Sequence, residues 1–387
     1  MVPRGKLDIS YSEVFKAIWY CASDRLLSKQ EYGLNANKLI TLSVRTGFHL
    51  VLSALSLPPG SEVIVSNINI PDMYAIIAAH GLKAIPVPVR FDTLTVSTED
   101  IQSVISKNTR VILLSHLFGA LMDTTKIAAL AKQRGLLLIE DCAQAFGGYY
   151  GDNVSNAAIT MFSFGLIKTN TAVSGAVIQI RDPNLLQKVI NLSNSLPCQS
   201  TSIFRKKLLK VLAIKLLTGK TLYSAFYKWC LKTNRDPDEV LSSATRGIPG
   251  TDVLGKISYR PCRANIILLK QRLNNFNLSN NFARTLKARE IVEGLALAAI
   301  AGGINTNNTY WVLPVKHNQP EKLIAYLRNN GFDATQKASS LIELEAATTT
   351  NHLQLNWLVY LPCYRSMSPK DCNRLNGLLL NFGLSGK

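Results

Sequence analysis

The stretch LLLIEDCAQAFGGYYG, residues 136–151, followed by AAITMFSFGLIKTNTAVSGAV, residues 157–177, decides the fold. The first starts as an apolar run and stops at two carboxylates, Glu140 and Asp141. The second holds two more apolar runs with Lys168 between them. Short Leu-, Ile- and Val-rich runs bounded by polar residues read as strands buried on both faces. Upstream the pattern recurs with helices in between: EVIVSNI, KAIPVPV and TRVILLSHL as strands, DMYAIIAAHG and TTKIAALAKQRG as helices. VRTGFHLVLSALSLPPG is a helix closed by Pro58, Pro59 and Gly60, and Ser97 caps another with Asp100 three residues on. Residues 44–180 therefore predict an α/β fold with a mostly parallel sheet covered on both faces. Ligands of such sheets bind beyond the carboxyl ends of the strands, where Asp141 and Lys168 can face one crevice.

The 387 residues are 47% hydrophobic and 18% charged, which excludes disordered and small disulfide-rich classes. Lys and Arg number 43 against 25 acids, a net charge of +18, so acidic membranes, phosphorylated substrates and nucleic acid are all open as partners. Seven scattered cysteines with no CxxC suggest a reduced, cytoplasmic protein, and no apolar run is long enough for a signal peptide or a membrane span. His49, His80, His317 and His352 have no ligand-like spacing, and no metal site is expected.

Residues 201–232 carry eight Lys or Arg and no acid, eight of the eighteen net charges. NRDPDEVLSSATRGIPG then reads as a linker. Helical patterns follow at Cys262–Leu273 and Phe282–Ala301, then YWVLPV as a strand, QPEKLIAYLRNNG as a helix, WLVYLP as a strand and a last helix in PKDCNRLNGLLLNF. This gives a large domain over residues 1–250, with the basic stretch inserted at about 201–232, and a small α+β domain over 251–387.

Asp141 and Lys168 fit two jobs. They form an ordinary ion pair, or they serve pyridoxal phosphate, which needs a lysine amine for its Schiff base and an acid to keep its ring nitrogen protonated. Spacing alone does not choose.

The motifs EDCAQ and FSFGLIK, with TRVILLSHLFGALMDTTKIAALAKQRGLLLIEDCAQAFGG, ISYRPCRANIILLKQRL and WLVYLPCYRSMSP, resemble the DegT/DnrJ/EryC1/StrS family of sugar aminotransferases, of pyridoxal-phosphate fold type I. The resemblance spans about 300 residues, with the basic stretch as an insertion. It implies a seven-stranded sheet, Lys168 as the Schiff-base lysine and proton carrier, Asp141 as partner of the pyridinium nitrogen, Gln144 near the ring or substrate, and Ser163 on the phosphate. As ordinary residues these would be a surface lysine, a helix cap, a first-turn glutamine and a core serine. Where the family shows Ser-Gly-Thr-Ala-Ala-Leu, this chain has Ser43, Val44, Arg45, Thr46, Gly47 and Phe48. Ser43, Arg45 and Thr46 are the expected phosphate residues there, at a helix start. Ile70 stands where an aromatic residue normally covers the ring, and GEGG is reduced to Val173, Ser174 and Gly175. His116 matches a family histidine. Ser258 and Arg260 take the places of an Asn-x-Arg loop that reaches the neighbouring protomer, which implies a homodimer with shared active sites.

The implied reaction moves an amino group from an amino acid, glutamate or glutamine, to a keto or aldehyde acceptor, a nucleotide-linked keto sugar. A pyridoxal-phosphate-dependent sugar dehydratase is the alternative enzyme, though such relatives replace the lysine by histidine. A catalytically silent, membrane-associated scaffold is the alternative of another class. Residues 204–229, with Lys206, Lys207 and Lys210 in one sector beside leucines and aromatics, fit a helix lying on an anionic membrane, or one packed on the protein or its dimer partner. Nucleic acid is not favoured.

Overall fold

The computed structural model describes residues 1–23, 34, 37–148, 155–245, 252–337, 340–346 and 351–386, without the side chains of 242–245. The expected boundary at about residue 250 lies outside them. In chain order the strands are β1 (Lys38–Thr41), β2 (Glu62–Ser66), β3 (Ile68–Asn69), β4 (Lys83–Val87), β5 (Thr109–Ser115), β6 (Leu137–Asp141), β7 (Ile159–Ser163), β8 (Ala176–Ile180), β9 (Leu313–Lys316), β10 (Ile342–Glu343) and β11 (Leu358–Leu361). The helices are α1 (Tyr11–Ala22), α2 (Val44–Leu55), α3 (Pro71–Ala79), α4 (Thr98–Val104), α5 (Thr125–Gln133), α6 (Pro183–Ser195), α7 (Thr201–Leu217), α8 (Lys220–Lys232), α9 (Pro237–Thr245), α10 (Val253–Ile257), α11 (Arg263–Asn274), α12 (Leu278–Val292), α13 (Pro320–Asn329) and α14 (Pro369–Leu379).

The expected seven-stranded sheet is present, in the order β1-β8-β7-β6-β5-β2-β4. Only β8 runs against the rest. Its strands are mostly apolar, with polar residues chiefly at their ends, because both faces are covered, with one core beneath α2, α3 and α6 and a second on the α4 and α5 side. Pro86 is tolerated because β4 is an edge strand. Helix α2 starts where Ser43 accepts the Thr46 amide, and it lies so close to β8 that a Cβ on Gly47 would sit 2.3 Å from Ile178 Cδ1. A side chain at that position would have to displace Ile178 in the core.

A third core joins the antiparallel pair β9–β11 to α12, α13, α14 and Val2. It is tied back to the sheet by the short β3–β10 ladder, which sets Ile342 opposite Asn69.

Three expectations are corrected. The stretch read as one basic helix is two, broken at Thr218 and Gly219. The segment read as a linker contains α9, whose first turn is favoured by Asp238 and Glu239 at the positive end of the helix dipole. The pattern read as helical to Ala301 stops at Val292, two residues before Gly294, whose φ of +73° is left-handed.

Candidate active site

The sheet register gathers the site. Asp141 ends β6, opposite Ser115 on one side and Met161 on the other. Ser163 ends β7 opposite Ala176, and Ala176 is also opposite Thr41, two residues before Ser43. Asp141, Ser163, Ser43 and the β7–β8 connection carrying Lys168 thus share one edge.

Asp141 is buried, and its Oδ1 accepts the Ala143 amide at 3.0 Å. Burial raises its pKa, opposed by that amide, by the charges of Lys168 and His116, and by a hydrogen bond from Asn69. Asn69 is itself fixed: its Nδ2 donates to Ser115 Oγ at 2.7 Å and its Oδ1 accepts the Ile70 amide at 2.7 Å. Burial lowers the Lys168 pKa to about 8; Asp141 opposes the shift and Arg45 adds to it. Its Nζ lies 4.1 Å from the centre of the Trp311 ring, a cation–π contact. The amine opens on a cavity of about 250 Å³, lined also by Arg4, Lys6, Arg284, Trp311 and Arg365.

Trp311 was legible only as part of a strand. It is delivered by Gly119, at φ +104°, where a Cβ would stand 2.5 Å from the Trp311 nitrogen. Thr309 N donates to Gly119 O at 2.8 Å, and the Trp311 indole donates to Ile167 O at 2.9 Å. Arg284, also missed, donates to Thr309 O and Thr169 Oγ1, bracing both sides of Lys168.

The other expected residues have the following partners. Gln144 is buried and accepts the Phe118 amide at 3.0 Å, so it supports the loop after β5. Arg45 pairs with Asp72. Thr46 donates to Ile257 O at 2.9 Å, bringing α10 onto the start of α2. Ser258 donates to Leu254 O, and Arg260 Nε donates to Leu196 O at 2.9 Å in the same chain. Ile70 lies partly buried at the start of α3. His116 accepts the Met122 amide on Nδ1 at 3.0 Å, and its Nε2 lies 3.3 Å from Glu140. Burial raises the Glu140 pKa, but bonds from His116 and Thr124 and the His116 charge bring it below the ordinary value. Cys142 stands near this pair, and the three possible ligand atoms lie within 4.8 Å of one another.

The arrangement fits pyridoxal phosphate. A buried carboxylate faces a lysine of lowered basicity, and the start of α2 offers amides with no intrahelical partner beside the Ser43 and Ser163 hydroxyls. The fold is that of the pyridoxal-phosphate fold type I class. Residues 30–206 match the DegT/DnrJ/EryC1/StrS aminotransferase family, and over that segment the chain is similar to it. Solved structures agree over the whole length. DesV of S. venezuelae, in complex with a ketimine intermediate, is 18% identical, with a TM-score of 0.69, covering 100% of this chain and 99% of that one. NtdA of Bacillus subtilis with bound cofactor PMP is 19% identical, TM-score 0.64, covering 96% and 82%. E. coli GDP-4-keto-6-deoxy-D-mannose-3-dehydratase with bound hydrated PLP is 14% identical, TM-score 0.68, covering 98% and 99%. These likenesses establish the fold.

Proposed function

We propose that the protein is a pyridoxal-phosphate-dependent aminotransferase that takes an amino group from glutamate or glutamine and gives it to a nucleotide-linked keto sugar. The observation that carries this reading is the Lys168 amine, held near neutrality opposite buried Asp141 and open to a cavity. Bound there, the cofactor supplies an electron sink for the substrate carbon that loses its proton. Lys168 binds it covalently and moves the proton at that carbon, its pKa of about 8 suiting an amine that both takes and returns protons. Asp141, fixed by Asn69 and the Ala143 amide, holds a positive ring nitrogen. Ser43, Ser163 and the α2 amides bind phosphate, and Ile70 covers one ring face. Arg284, Arg365 and Lys6 make the cavity cationic, which suits a carboxylate donor and a diphosphate-bearing acceptor.

The working unit in this reading is a cytoplasmic homodimer, with Ser258 and Arg260 near the shared interface. Mixing Arg260→Ala with Lys168→Ala subunits restores one site per heterodimer if Arg260 serves the partner.

The decisive experiment incubates loaded protein with glutamate, glutamine and a panel of nucleotide-linked keto sugars, following the pyridoxamine form and the product masses. Amination supports the reading. Loss of water from the sugar without nitrogen transfer selects the dehydratase, and no cofactor reduction by either donor selects the silent scaffold.

A further inference from the structure

The eight cations of residues 201–232 do not share one surface. Lys206 and Lys210 are exposed, whereas helical geometry turns Lys207 and Lys215 inward. Lys215 donates to Ile9 O and lies over the Tyr11 ring, and Lys220 pairs with Asp371. Lys207 instead donates to a neutral hydroxyl, Ser174 Oγ, at 3.0 Å.

Ser174 sits at the phosphate end of the sheet. Its carbonyl is held by Asn265 Nδ2 at 3.0 Å, and the Gly175 amide donates at 2.9 Å to Leu42 O, one residue before the α2 cap Ser43. Ala176 is opposite both Thr41 and Ser163. Lys207 is therefore anchored where the segments bearing Ser43 and Ser163 meet.

From this placement we propose that Lys207 is a ligand of the cofactor phosphate, supplied by the inserted helix α7 where the Ser43–Phe48 and Val173–Gly175 segments depart from the family pattern. The inference rests on the pyridoxal-phosphate reading above. Electrostatics support it. Burial lowers the Lys207 pKa, Cys262 opposes this, and Arg45 lowers it further. A half-buried ammonium with a neutral hydroxyl as its bonded partner is costly until an anion arrives. A phosphate dianion at a helix N-terminus meets that need, and lysine binds it as a point charge.

The test titrates apo protein with pyridoxal phosphate and with pyridoxal, which lacks the phosphate, for the wild type, Lys207→Met and Lys207→Arg. Inorganic phosphate serves as competitor at fixed ionic strength. Lys207→Met should weaken pyridoxal phosphate binding tenfold or more, leave pyridoxal binding unchanged and blunt phosphate competition, while Lys207→Arg keeps most of the affinity. A preference for the phosphorylated form within twofold of wild type in Lys207→Met overturns the proposal and leaves the cofactor reading standing. Absence of any such preference in the wild type overturns both. If Lys207→Met does not fold, the phosphorus resonance of cofactor bound to Lys207→Arg decides: a shift from wild type supports contact, and an unmoved resonance overturns it.

Discussion

Lys168 and Trp311 are locked to each other at both ends of the contact: the ammonium lies 4.1 Å from the indole centre, and the indole N–H donates to the carbonyl of Ile167, the residue before the lysine. The ring fixes the backbone of the catalytic connection and covers the amine. It does so from a segment attached to the sheet through Gly119, so the second half of the chain finishes a site that the first half starts.

Uptake of pyridoxal phosphate by apo protein should rise with pH through about 8. The unprotonated amine is the nucleophile, and a lysine shifted from 10.5 to about 8 has roughly 300-fold more of it at neutral pH. Stopped-flow absorbance across pH 6–10 checks this. A midpoint near the ordinary lysine value would contradict the burial argument.

Trp311→Leu removes the aromatic face that favours the charged amine. A cation–π contact of about 0.7 kcal/mol corresponds to about half a pH unit, so the uptake midpoint should move down by that amount. Trp311→Phe should move it less. The same stopped-flow series measures both, and an unmoved midpoint in Trp311→Leu would remove the ring from the electrostatics.

Borohydride reduction of loaded protein should leave the cofactor on the peptide containing Lys168. Lys168→Ala should abolish turnover and leave the fold intact, since it removes the covalent residue and little core volume. Reproducible labelling of another lysine by peptide mass analysis would reassign the role.

Asp141→Asn retains size and hydrogen bonding but cannot support a positive ring nitrogen. Single-turnover amination at saturating cofactor should slow by about 10²-fold, which is about 2.7 kcal/mol. An unchanged rate would separate Asp141 from the chemistry.

Asp333 carries a structural prediction. Fully buried, it takes Arg4 on both oxygens, at 2.6 and 2.9 Å, and accepts the Tyr223 hydroxyl from α8. Asp333→Ala leaves the largely buried Arg4 guanidinium with Asp238 as its remaining carboxylate and removes the acceptor of the Tyr223 hydroxyl, and should cost about 2–3 kcal/mol in urea unfolding. A loss below about 1 kcal/mol would mean that the Asp333 contacts contribute little to holding α8.

The sequence by itself determined the sheet and the chemical identity of its edge. Short apolar runs, punctuated by Gly81, Gly135 and Pro58–Gly60, read as strands and helices of a sheet covered on both faces, and that places Asp141 at a strand end and Lys168 in the connection after the next strand. Local signals were legible because they act within a few residues: the Ser97 hydroxyl accepts the Asp100 amide three residues on, as read. What only the tertiary structure decided were the partners of each polar group, because these come from distant segments. Gln144 went to the Phe118 amide, Arg45 to Asp72, Lys207 to Ser174 and Trp311 to Lys168. A periodic pattern says which face of an element is buried; it cannot say which distant atom will satisfy a buried donor, since that depends on how the elements pack.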